Sequence, residues 1–352
     1  MATQARQQSL DMVRGVAILA VLCFHFELRS GVAPIDALLV PAARAGWMGV
    51  DLFFVLSGFL VGRLILVETA ERGGLRIGRF FTRRAMRLWP ALGVYLAMLV
   101  LAGQGAMAWP VLLHVQNYAE HVPSHLWSLA VEEHFYLVAA FALPLLARSG
   151  TRRLALALGG ILVLGLAGRT VAALAGTPLL ALQWQTQFRV DSLAFGVLLA
   201  LFALHRPDGF ARLAARRGAW LAAGAAGFAL LAAAGDGAFR HTIGFTIAYL
   251  ASGALILGSY GLEPRGRWAA AGRALAWLGT IAYSLYLWHA SIGRVAQELG
   301  AASGVTHPLA LFAMQAAASI GVAAALFALV ERPMMQMRGR SFPLRRSPPL
   351  PA

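Results

Sequence analysis

Arg14 and His25 stand eleven residues apart in the apolar run SLDMVRGVAILAVLCFHFE, residues 9–27. At about 100° per residue, eleven steps return to within about 20° of the start, so both side chains leave one face of a helix. Asp11 lies one turn before Arg14 on nearly the same face. The rise from Arg14 to His25 is roughly 16 Å, about half a bilayer's hydrocarbon core. If this helix spans a membrane, it carries an imidazole near the middle and a guanidinium at the entrance. An imidazole takes or gives a proton near neutral pH, which suits general-base work on a hydroxyl. An ionisable group at that depth is expensive and usually functional. The competing reading is a histidine hydrogen-bonded inside a helix bundle.

Further polar constellations lie along the chain. Arg83, Arg84 and Arg87 occur in RFFTRRAMRLWP, residues 79–90. Arg84 and Arg87 are three apart and share a helix face. Their planar forks match phosphate oxygens, against the alternative of topology anchors touching lipid headgroups. HLWSLAVEEHFY, residues 125–136, places Glu132 and Glu133 within about two turns of a span boundary. Adjacent carboxylates point in different directions, so at least one faces the bundle interior; the competing reading is a buried ion pair with Arg189 or another arginine. Arg189 and Asp191 open the run RVDSLAFG, residues 189–196, and YSLYLWH, residues 283–289, ends on His289. Taken alone, either is more simply read as helix–helix hydrogen bonding. Glu331-Arg-Pro333 closes the last apolar segment, where proline is expected to end the helix.

The elements that must position these residues follow from composition. Of 352 residues, 59% are hydrophobic and only 13% charged, about half the charge of a soluble domain. The fold class is therefore all-α, a polytopic membrane bundle. Apolar segments of spanning length fall at roughly 13–29, 46–66, 88–105, 126–147, 154–175, 190–205, 219–235, 242–260, 274–292 and 308–330, which makes about ten transmembrane helices. A net charge of +15 raises nucleic-acid binding, but the basic residues are scattered between apolar segments, so no nucleic-acid partner is expected. All 30 basic residues are arginine, so no lysine nucleophile exists. The single Cys23 allows no disulfide within the chain and no cysteine-rich metal site, and no metal is expected.

The connections carry arginine unevenly. Arg72, Arg76, Arg79, Arg83, Arg84 and Arg87 lie between the second and third segments, and similar groups follow the fourth, sixth, eighth and tenth. The other connections hold only Arg29, Arg44, Arg169, Arg189, Arg240 and Arg294. That alternation places both termini in the cytoplasm by the positive-inside rule. Residues 1–333 read as one membrane domain, and residues 334–352 as a short disordered cytoplasmic tail, because they are few and proline-rich.

Taken together, these motifs resemble the acyltransferase-3 family of integral-membrane O-acyltransferases. The matching residues are Leu10-Asp-x-x-Arg-Gly15 with the Arg14–His25 spacing, Gly49-Val-Asp-Leu-Phe-Phe-Val-Leu-Ser-Gly-Phe59, Arg83-Arg-x-x-Arg87 before Pro90, Trp127-Ser-Leu with Glu132-Glu-x-Phe-Tyr136, Arg189-x-Asp-Ser-Leu193, Ser284-x-Tyr-Leu-x-His289 and Glu331-Arg-Pro333. The order and spacing carry the resemblance, which covers almost the full length. It implies an acyl-coenzyme A donor, commonly acetyl-CoA, and transfer to a hydroxyl, usually on a sugar. The acceptors it implies are surface polysaccharide, glycolipid, peptidoglycan-linked glycan or macrolide-type metabolites, and the setting is the bacterial inner membrane. On this resemblance the chain is expected to be of the stand-alone type, without an extra esterase-like domain after Pro333.

On that resemblance His25 is the general base, with Arg14 and Asp11 beside it; a transiently acylated histidine remains the alternative. Arg83, Arg84, Arg87 and Arg14 are expected to bind the polyanionic donor. Glu132, Glu133, Asp51, Asp191, Arg189 and His289 are expected to face the acceptor. Two other classes compete. A secondary transporter also places charges in the membrane, but hydropathy shows no inverted repeat. A catalytically silent scaffold would neither bind nor hydrolyse acetyl-CoA.

Overall fold

Apolar runs of spanning length fold as helices because lipid offers backbone N–H and C=O groups no other partner. The computed structural model describes residues 2–341, with side chains from Gln8 onward. Fifteen α-helices are found among these residues, and no strand. In chain order they are α1 (Ala2–His25), α2 (Ala33–Arg44), α3 (Gly49–Arg72), α4 (Ile77–Leu101) and α5 (Gly105–Leu112). Next come α6 (Trp127–Arg148), α7 (Thr151–Leu174), α8 (Leu179–Trp184), α9 (Val190–His205) and α10 (Pro207–Ala215). The last five are α11 (Arg217–Ala234), α12 (Phe245–Ser259), α13 (Ala269–Ala302), α14 (Pro308–Leu326) and α15 (Arg332–Ser341).

Each expected span lies on a helix: α1, α3, α4, α6, α7, α9 and α11 to α14. Eight helical stretches among the described residues are long and apolar enough to cross a membrane. The short α9 reaches spanning length only with α10, across a 112° bend. α13 has 34 residues and carries the polar stripe that ends on His289. The chain is an integral-membrane helical bundle.

Small residues set the closest helix contacts. Gly15 of α1 rests on the Leu275 carbonyl of α13, and Gly279 of α13 on the Asp11 carbonyl of α1. Neither site has room for a Cβ, so the backbones meet directly. α3 and α9 meet the same way, Gly58 against the Leu193 carbonyl and Gly196 against the Val55 carbonyl. These two tight pairs hold the site residues of α1 and α13, and of α3 and α9, in fixed register.

The expected stop at Pro333 does not occur. A π-turn over Phe327–Glu331 leads directly into α15. Proline lacks only an N–H and clashes with the carbonyl four residues back; the wider π-turn opens that ladder, so Pro333 fits the first turn of α15. Residues Met334–Ser341 are therefore helical and not a disordered tail. Residues 342–352 of that tail lie outside the described residues.

Candidate active site in a polar cleft

His25 is the last residue of α1, not a residue in mid-helix as the apolar run suggested. The helix stops immediately after it. Leu28 N–H donates to the Cys23 carbonyl at 3.1 Å and Glu27 N–H to the Phe24 carbonyl at 3.4 Å, the pairing of a Schellman close. Glu27 takes the left-handed position at φ 49°, where glycine is usual. No glycine marks the stop, so the sequence carried no signal for it.

The His25 ring is held by its own helix. Nδ1 lies 3.0 Å from the Val21 carbonyl. A carbonyl only accepts, so in the neutral ring the proton is on Nδ1 and the lone pair is on Nε2. Nε2 has no partner among the described residues, and the side chain is exposed. Its floor is His289 of α13, with ring centres 4.7 Å apart. His289 is fully buried, donates Nδ1–H to the Tyr286 carbonyl at 2.8 Å, and leaves its Nε2 without a partner. His125, just before α6, stacks edge-on at 5.1 Å and donates Nε2–H to the Leu287 carbonyl at 3.0 Å. Tyr286 ties this layer together, donating its hydroxyl to the His125 carbonyl. His125 and Tyr286 were not among the expected site residues. The sequence does carry a signal for them, since His125 lies in the run 125–136 and Tyr286 in the run 283–289.

One helix rise of roughly 16 Å away, the arginines converge. Arg14 pairs with Asp11 on α1. Arg84 of α4 lies over the Tyr136 ring of α6, its guanidinium carbon 3.3 Å from the ring centre. The Tyr136 hydroxyl donates to Glu132 and meets Ser57 of α3. The charges acting most on Glu132 are Arg84, Arg87 and Arg14, and on Glu133, Arg84 and Glu132. The charges acting most on Arg87 are Arg14, Arg84 and Arg338, drawn from α1, α4 and α15. Arg87 is nevertheless exposed, and Glu132 and Glu133 are half-buried. Arg87, open to solvent and acted on by charges of α1 and α15 as well as of its own helix, marks with Glu132 and Glu133 a polar cleft. Beyond it, at the arginine-rich end, is a depression of about 1110 Å3 whose lining includes Arg72, Arg76, Arg79, Thr82, Arg148 and Ser341.

This geometry divides the expected acceptor residues. Glu132 and Glu133 do not pair with Arg189; they face the arginine cleft. Asp51, Asp191 and Arg189 are not in the cleft. Arg189 donates to Asp51 at 2.8 Å, Asp191 pairs with Arg169 at 2.7 Å, and all four are essentially fully buried. Ser192 also donates to Asp51, and Arg189 lies over the Phe245 ring at 3.6 Å. Charges inside a bundle must find each other, and here they do. Arg169, counted from the sequence as part of a connection, sits within α7 as one member of this lattice. Arg240, counted likewise, is buried against Trp47 at the head of α12. Among the described residues, no group of three His, Cys, Asp or Glu side chains is placed to hold a metal ion.

Comparison with known proteins adds to the geometry. A family model described as "Acyltransferase domain" matches residues 7–330. Over 218 residues the chain is 29% identical to peptidoglycan O-acetyltransferase OatA of Listeria monocytogenes, covering 54% of this chain and 33% of that protein. It is 30% identical over 151 residues to a putative O-acetyltransferase of Staphylococcus aureus, covering 36% of this chain and 23% of the relative. It is 28% identical over 153 residues to the putative peptidoglycan O-acetyltransferase YrhL of Bacillus subtilis, covering 37% and 22%. These matches span a third or less of the length of the curated relatives. No solved structure matches the chain.

Proposed function

Since the chain belongs to this acyltransferase family, matched over residues 7–330, we propose that it moves an acetyl group from acetyl-CoA to a hydroxyl of a carbohydrate. The donor enters at the arginine-rich end, and Arg84, Arg87, Arg83 and Arg14 hold its phosphates. Guanidinium forks suit those oxygens, and Arg84 and Arg87 have no carboxylate within ion-pair distance among the described residues. The pantetheine arm runs along the Arg14–His25 face of α1 and brings the thioester to the histidine.

His25 acts as general base. Its Nε2 takes the proton of the acceptor hydroxyl as that oxygen bonds to the thioester carbon. The C–S bond then breaks, and the departing thiolate takes the proton from His25. His289 and His125 form the floor under the ring. Glu132 and Glu133 are the carboxylates open to an acceptor. Asp51, Asp191 and Arg189 act as framework, because their charges satisfy one another. The acceptor class is a cell-envelope glycan such as peptidoglycan, by analogy with the named relatives. The arginine alternation supports both termini in the cytoplasm, with the chain in a bacterial inner membrane.

The observation that carries this reading is the His25 ring, with Nδ1 committed to Val21 and Nε2 open. The test is transfer of labelled acetyl from acetyl-CoA to defined glycans by the full chain reconstituted in liposomes. Label on the glycan, absent with His25→Ala, is the expected result. Donor binding without transfer to any glycan, equal for both proteins, would overturn the reading.

A further inference from the structure

The donor motif lies on α4, but a further guanidinium, outside every motif, reaches it from α15. α15 packs against α4, and Arg338 is half-buried there. The charge acting on Arg338 is that of Arg84, and Arg338 in turn acts on Arg87 and Arg83. Among the described residues no carboxylate lies within ion-pair distance of Arg84, Arg87 or Arg338. The Nε atoms of Arg84 and Arg338 are both buried and without a hydrogen-bond partner. A buried donor left unmatched is costly, and so are like charges held together at low dielectric. An anion that accepts from these forks relieves both, and a phosphate has the oxygens to do so.

The surroundings fit an anion arriving from the arginine-rich end. Ser341, at the end of α15, lines the same depression as Arg72, Arg76, Arg79 and Arg148. Arg79 and Thr82 on its rim precede Arg83 on α4 by about one turn or less. α15 is thus one wall of the route into the cleft. The π-turn before it lets the chain continue through Pro333 as helix and carry Arg338 to α4.

We infer that Arg338 closes, with Arg84 and Arg87, a binding site for a phosphate group, with α15 as its strap. Resting on the donor reading above, that phosphate is one of coenzyme A. An anionic lipid headgroup offers the same chemistry from the bilayer, and the test separates the two.

The full chain is purified in a neutral detergent, and coenzyme A binding is measured by calorimetry. Arg338→Ala is expected to weaken binding about tenfold to a hundredfold, the scale of charged hydrogen bonds. Arg338→Lys restores part of it, because the charge returns without the fork. Arg340→Ala, on the exposed side of the same helix, leaves it unchanged. Thermal unfolding of each variant within a few degrees of the parent shows that the fold is intact; if Arg338→Ala unfolds, the Arg338→Lys comparison decides. If the parent binds coenzyme A and the Arg338 variants bind it equally well, the strap is refuted and the donor reading stands. If even the parent ignores coenzyme A, the donor reading falls, and retention of phosphatidylglycerol by parent and variant decides. Loss of the lipid in Arg338→Ala then keeps the phosphate site with a lipid in it, and equal retention overturns it.

Discussion

Arg84 of α4 rests over the ring of Tyr136 of α6, with 3.3 Å between the guanidinium carbon and the ring centre. The guanidinium carbon sits over the ring, and its Nε is buried without a hydrogen-bond partner. Tyr136 in turn gives its hydroxyl to Glu132. One aromatic residue thus orients a cation on its face and a carboxylate at its tip.

Removing the platform and removing the hydroxyl have different effects. Tyr136→Leu is expected to weaken acetyl-CoA binding about threefold to thirtyfold, the range of a cation–π contact of about 0.5–2 kcal/mol. Tyr136→Phe keeps the ring, so donor affinity should stay within about twofold, while the KM for the acceptor rises as Glu132 loses its donor. Calorimetry for the donor and steady-state kinetics for the acceptor separate the two. Equal donor affinity in all three proteins would show that the stack does not orient Arg84.

His25→Gln tests the chemistry. Glutamine offers an amide N–H and a polar acceptor but no basic nitrogen. Acyl transfer should fall by at least about a hundredfold, the scale of a positioned general base. Acetyl-CoA affinity should not change. A folded His25→Gln protein with near-parental transfer would remove His25 from the mechanism. The parent mixed with acetyl-CoA and no acceptor should keep its mass; an acetyl adduct on the α1 peptide would replace the base with a nucleophile.

The Arg169–Asp191 pair is a stability element. Breaking a buried pair from one side typically costs about 3–5 kcal/mol. Arg169→Met and Asp191→Asn should each lower the apparent melting temperature and the yield in detergent. The double variant Arg169→Met/Asp191→Leu, which leaves no unpaired charge, should recover more than half of the loss. Single variants as stable as the parent would show that the lattice is not what holds α7 to α9.

Orientation is tested by reporter fusions after Gln104 and Gly218. The arginine alternation predicts opposite signals at the two positions. Matching signals would break the topology.

Much of this architecture is written in local pattern. Apolar length placed ten helices, and the three-residue spacing put Arg84 and Arg87 in one cluster. Four features were hidden for physical reasons. The end of α1 at His25 depends on Glu27 in a conformation that residue type rarely signals. The passage of Pro333 into α15 depends on a π-turn, which has no composition of its own. The pairing of Asp51 with Arg189 joins residues 138 positions apart, and nothing in either local sequence separates a carboxylate facing a substrate from one facing an arginine. Arg338 falls outside every motif, and only the packing of α15 on α4 brings it to the cluster.

The buried lattice also bears on how the protein is made. α7 brings Arg169 into the membrane before Asp191 has been synthesised, and α3 carries Asp51 long before Arg189. Arg169 stands five residues from the end of α7 and Asp51 in the first turn of α3, so each unpaired charge costs less than an arginine at the centre of a span, which costs about 2.5–3.5 kcal/mol. These helices are therefore expected to sit less firmly in the bilayer until α9 emerges and supplies the missing partners. Nascent chains halted before Arg189 are expected to be extracted by alkali more readily than chains halted after His205. Equal extraction at both lengths would mean that α3 and α7 commit to the lipid on their own.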